Sequence, residues 1–80
     1  MNEEQDLLKR IVVAKGVMSG KPVVKGTRVP VDAIIQRIAE GATFEEVLED
    51  YPNINREDIR AALEYAANVV RAEDIVPEIK

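Results

Sequence analysis

The pair Val29-Pro30 divides this chain into two patterns that no single element can satisfy. Before it, β-branched residues come in short runs broken by glycine: Ile11-Val12-Val13, Gly16, Ser19-Gly20, Val23-Val24-Lys25, Gly26. Such runs with turn residues between them read as strands. After it, Val31, Ile34, Ile35 and Ile38 recur at i, i+3, i+4 and i+7, one face of a helix. Pro30 biases Val29 toward an extended backbone and suits the first helical position, where its missing N–H costs nothing. The first 29 residues therefore predict one or two helical turns at 3–9 and an irregular β-hairpin, too small to be stable alone. Thr27-Arg28-Val29 is expected to be a third short extended piece.

Everything after Pro30 reads as helix. The first core helix spans about 30–40, with Gly41 as its stop. Thr43-Phe44-Glu45-Glu46 is a capping box that opens a second helix, with Phe44, Val47, Leu48 and Tyr51 on its apolar face and Pro52 ending it near Asp50. Asn55 caps a third helix, with Glu57 and Asp58 in its positive first turn. Ile59, Ala62, Leu63, Ala66 and Val70 carry that helix to about Arg71. The reading is one mainly α domain over 1–80: a turn and β-hairpin (1–29), a three-helix core (30–71) and a carboxy-terminal arm (72–80). The second and third helices, with the short turn between them, have the size of a helix–turn–helix unit.

Composition removes several function classes. A domain of 80 residues buries a modest share of its surface and sits near balance between burial and ordering entropy. It has no cysteine and no histidine, so neither a disulfide nor a structural zinc site can staple it. Self-association is the remaining common staple, and a homodimer through the hairpin region and first core helix is expected. The acidic amino-terminal stretch MNEEQDLLKR is no signal peptide, and no apolar run nears the roughly 20 residues a membrane span needs. A soluble cytoplasmic protein is expected.

Without histidine or cysteine, and with Thr43, Ser19 and Thr27 accounted for by a cap and turns, catalysis is not expected. The carboxylate pairs Glu45/Glu49 and Glu46/Asp50 have i, i+4 spacing but read as solvated helix surface rather than a metal site. No cofactor is expected. The run SGKPVVKGTR has the vocabulary of a phosphate loop but not its grammar. A nucleotide-binding loop needs five residues from the first glycine to the second, then lysine and a hydroxyl residue. Here Gly16 and Gly20 are too close, Pro22 follows Lys21, and no helix follows. A structural turn is the better reading.

Charge is more telling. The net charge is −4, yet Lys9 to Arg37 holds seven basic residues and one acid, and Gly41 to Lys80 holds four basic residues and ten acids. One end suits anions and the other a cationic partner. A nucleic-acid reading would place Arg56, beside Arg60, on base edges from the start of the third helix. Lys21, Lys25 and Arg28 would meet phosphates. Glu57 and Asp58 at the same helix end oppose it. An interaction reading rests on surplus apolar residues: Val69 and Val70, then Ile75, Val76 and Ile79 in the arm.

The elements GKPVVKGTR, V-P-V, a glycine before T-x-E-E, a Y-P stop and the EDIRAALEYAA helix, in this order over residues 11–67, resemble the domain-of-unknown-function 433 family of small prokaryotic proteins. The resemblance implies a homeodomain-like helix–turn–helix preceded by a β-hairpin, paired as a dimer. It further implies a VapB-like antitoxin role opposite a PIN-like nuclease toxin, with no catalytic residues. Two departures fall in the hairpin loop: Ala14-Lys15-Gly16 replaces a D-P-E-like run, and Ser19-Gly20 replaces two glycines.

Overall fold

The computed structural model of the chain describes residues 3–13, 15–16 and 18–72. Its elements run in the order α1 (Glu3–Leu8), β1 (Ile11–Val13), β2 (Pro22–Val24), α2 (Val31–Ala39), α3 (Phe44–Asp50) and α4 (Arg56–Ala72). The strands pair antiparallel with Ile11 opposite Val24 and Val13 opposite Pro22. The fold is mainly helical with a two-stranded hairpin near its amino terminus, as the periodicity predicts.

The extended piece expected at Thr27–Val29 is reduced to a single bridge between Val23 and Pro30. Pro30 has no N–H and α2 starts at the next residue, so the ladder has nowhere to continue. Pro30 stands at the N-cap, one position before the first helical residue, because its ψ of 143° is extended (φ −73°). Between β2 and Val29 the Thr27 hydroxyl closes the turn, donating to the Val24 carbonyl at 2.8 Å and accepting from the Val29 N–H at 3.0 Å. Gly26 supplies the left-handed residue this turn needs, at φ +80°. GKPVVKGTR is thus a structural turn whose hydroxyl is already used.

The three core helices surround one apolar cluster of Val24, Val29, Val31, Ile34, Val47, Ile54, Ile59 and Ala62. Ile34, Val47 and Ile59 are fully buried. Phe44, Leu48 and Tyr51 pack beside them from α3 and the residue after it. Outside this cluster α1 lies against α4, and Leu7 and Ala61 are buried as well.

Both predicted caps form. Thr43 Oγ1 accepts from the Glu46 N–H at 3.1 Å, and the Glu46 carboxylate accepts from the Thr43 N–H at 3.0 Å. Asn55 Oδ1 accepts from the Asp58 N–H at 3.0 Å, and Asp58 Oδ2 accepts in return from the Asn55 N–H at 2.9 Å. Gly41 follows α2 at φ +98°.

Candidate functional site

Three arginines lie between elements and hold them together. Arg37 on α2 donates to Asp50 on α3 at 2.6 Å, which holds the guanidinium pKa above its ordinary value. Arg10, in the turn between α1 and β1, donates to Oδ1 of the buried Asp58 on α4 at 3.2 Å. Arg56, at the start of α4, donates to Glu45 on α3 at 3.0 Å and lies 5.2 Å from the centre of the Phe44 ring. That hydrogen bond, first among its causes, lowers the Glu45 carboxyl below its usual range. Glu46 is lowered too, chiefly by the Thr43 backbone N–H it caps.

This arrangement bears on each residue singled out from the sequence. Arg56 does not stand free at the end of α4, because its charge is matched by Glu45 and its face by Phe44. Arg60 donates to Glu57 at 3.1 Å. Lys21 pairs with Asp32 at 3.2 Å. Lys25 and Arg28 are exposed on the Gly26 turn and, among the described residues, carry no ion pair. Ile75, Val76 and Ile79 lie outside the described residues. Three of the four carboxylates weighed as metal pairs have other work: Glu45 meets Arg56, Glu46 caps Thr43, and Asp50 meets Arg37. Among the described residues no cluster of three or more metal-ligating side chains occurs.

Two hollows stand out among the described residues. One, of about 440 Å³, is an apolar groove between β2, α2 and α4, lined chiefly by Pro22, Val31, Ile35, Tyr65, Val69 and Val70. Lys21 and Asp32 stand at its edge. Val70 is 57% exposed there and Val69 36%. The other, of about 350 Å³, is lined, among the described residues, by charged side chains alone: Asp6, Lys9, Arg10, Lys25 and Asp58. Lys21 and Lys25, grouped as phosphate contacts by their closeness in sequence, thus line different hollows. Sequence reasoning missed the roles of Arg10 and Asp58. The signal that could have found Asp58 is its place three residues after Asn55, the spacing of a reciprocal cap.

The sequence profile of a family described as "Protein of unknown function (DUF433)" matches residues 11–66, from the first strand into α4. The chain belongs to the DUF433 family. A solved relative, the crystal structure of a DUF433 member protein from Anabaena variabilis, superposes with a TM-score of 0.73 at 31% identity, covering 88% of this chain and 69% of that one. An uncharacterized protein of Sinorhizobium fredii, y4eO, is 45% identical over 56 residues, 69% of this chain. The aligned stretch is a quarter of that relative's length (25%). An uncharacterized protein of Archaeoglobus fulgidus is 59% identical over 29 residues, 36% of this chain and 81% of its own length. The family match ends at residue 66, before Val69 and Val70, so part of the α4 wall of the apolar groove lies outside the DUF433 span.

Proposed function

We propose that this DUF433 chain is a non-catalytic protein-interaction module on a helix–turn–helix scaffold, and that it works as a homodimer. The observation that carries this reading is the open apolar groove of β2, α2 and α4, with Val69 and Val70 exposed on its wall. A two-stranded hairpin and a three-helix core of this size benefit from a second copy laid over such a face. The acidic side of the molecule, with Glu45, Glu46, Glu49 and Asp50 exposed on α3, suits a basic protein partner. On the family resemblance, that partner is a PIN-like nuclease toxin and the chain its antitoxin. Sedimentation equilibrium of the full chain tests the homodimer. A dimer mass that falls to monomer in Val70→Glu, with helicity retained, is expected. A monomer at every concentration, or an undisturbed dimer in Val70→Glu, would overturn the assignment of that face.

A second reading, duplex DNA contact by an antitoxin-like regulator, is favoured by one observation. Lys25 and Arg28 are exposed on the Gly26 turn and carry no ion pair among the described residues. On this reading the Gly26 turn meets phosphates, and the Arg56 end of α4, beside Glu45, Glu57 and Asp58, is the poorer DNA face. Fluorescence anisotropy on mixed-sequence duplex DNA at several salt concentrations decides it. DNA contact requires affinity that falls steeply with salt and weakens in Lys25→Gln. Binding lost in Arg56→Ala but kept in Lys25→Gln would place the DNA face on α4 instead.

A further inference from the structure

We propose that the charged hollow between the α1–β1 turn and the Gly26 turn binds a phosphate group. Among the described residues three cations, Lys9, Arg10 and Lys25, face this hollow against two carboxylates, Asp6 and Asp58, which leaves one positive charge in excess. The carboxylates are not equal competitors for those cations. Asp58 is committed to Arg10: its Oδ1 accepts from the guanidinium and its Oδ2 from the Asn55 N–H, so it fixes and offsets that one cation and leaves Lys9 and Lys25 to a ligand. A guanidinium has five N–H donors, and the contact with Asp58 is made through Nη1. Asp6 reaches Lys9 only at 3.8 Å, between two well-exposed side chains, a pair of little strength. Lys25 has no ion pair among the described residues.

The backbone that carries two of the cations is also fixed. The Arg10 N–H donates to the Leu7 carbonyl at 3.0 Å, and the Lys25 N–H donates to the Arg10 carbonyl at 2.7 Å. The two turns are therefore tied directly behind the residues that line the hollow. That preorganisation lowers the ordering cost of a ligand bound between them. A volume of about 350 Å³ exceeds the ~30 Å³ of one water several times over, enough for a tetrahedral oxyanion and part of an ester substituent. With the whole chain at −4, no general field draws anions here, so binding must come from this local geometry.

The phosphate could belong to a free monoester or to a nucleic-acid backbone, and two probes separate them. Backbone amide shifts of the ¹⁵N-labelled full chain are followed during titration with inorganic phosphate, with dimethyl phosphate, and with sodium chloride at matched ionic strength. The expected result is saturable shifts at Lys9, Arg10 and Lys25 with a half-point on the order of 1 mM. Lys25→Gln should weaken binding several-fold with an unchanged melting temperature, and Lys21→Gln, in the other hollow, should not. Saturation by dimethyl phosphate assigns the site to a backbone diester, and saturation by inorganic phosphate alone assigns it to a monoester. Shifts that follow ionic strength alike in all three titrations, or saturation indifferent to Lys25→Gln, would overturn the proposal. Neither result depends on the dimer, since α2 and Val70 do not line this hollow.

Discussion

Removing the Asp58 carboxylate should destabilise the domain more than any other single charge change. Asp58 is 8% exposed and serves two elements at once. Its Oδ2 accepts the Asn55 N–H, the half of the reciprocal cap that loss of the carboxylate removes, a hydrogen bond that contributes about 1 kcal/mol. A hydrogen bond between charged groups contributes about 1.5–3 kcal/mol when shielded. Because the Arg10 side chain is 41% exposed, we take about 1 kcal/mol for that pair. Asp58→Ala should therefore cost about 2 kcal/mol, which for a domain of this size lowers the melting temperature by about 8–16 °C. Asp58→Asn keeps one oxygen for the Asn55 N–H and should cost about half as much. The assay is thermal melting followed by circular dichroism at fixed protein concentration, because self-association raises apparent stability. A double-mutant cycle with Arg10→Met should show a coupling near 1 kcal/mol, above the ~0.3–0.5 kcal/mol within which independent sites add. A melting temperature for Asp58→Ala within about 2 °C of the parent, less than 1 kcal/mol on the same scale, would refute the reasoning. So would a coupling inside the additive range.

Thr43→Ala removes one half of the α3 capping box and should cost about 1 kcal/mol in the same melts. The folded-state pKa values of Glu45 and Glu46 lie below their ordinary value, so their contribution is full above the ordinary carboxylate range and is lost as pH falls through the depressed values. The melting temperature should therefore drop on acidification from about pH 6 to about pH 3. The drop should be smaller in Glu46→Gln, which keeps the cap but has no proton to gain; an equal drop would contradict the assignment. Ser19 sits at φ 57° without being glycine, at one of the two positions where the family resemblance has glycines. Ser19→Gly should relieve a left-handed backbone cost of about 1 kcal/mol, partly offset by a freer unfolded chain. A small rise in melting temperature is the expected outcome, and a fall would show that the loop depends on the serine side chain.

The helices were legible because their signals are local. Val31, Ile34, Ile35 and Ile38 share one face, and Thr43 and Glu46 lie within one turn of each other. Gly41 and Gly26 likewise announce left-handed positions that the structure uses. What could not be read were pairings across elements. Arg10 and Asp58 are 48 residues apart, and nothing in either neighbourhood points to the other. Arg56 looked available because its partner, Glu45, lies eleven residues back on a different helix, |i−j| = 11. The groove had the same difficulty. Val69 and Val70 extend a helical apolar pattern, and only the packing of α2 and β2 shows that Val70 is left uncovered while Ile59 and Ala62 are buried.

The most direct test of the central claim, that the groove of β2, α2 and α4 is the interaction face, is an isotope-filtered NOE experiment. Equal amounts of ¹³C-labelled and unlabelled full chain are mixed, so that only contacts between copies are detected. Intermolecular NOEs are expected from the methyl groups of Ile35, Val69 and Val70, and none from Phe44 beside Arg56. Absence of intermolecular NOEs at millimolar concentration, or their appearance at Phe44 with none in the groove, would contradict it.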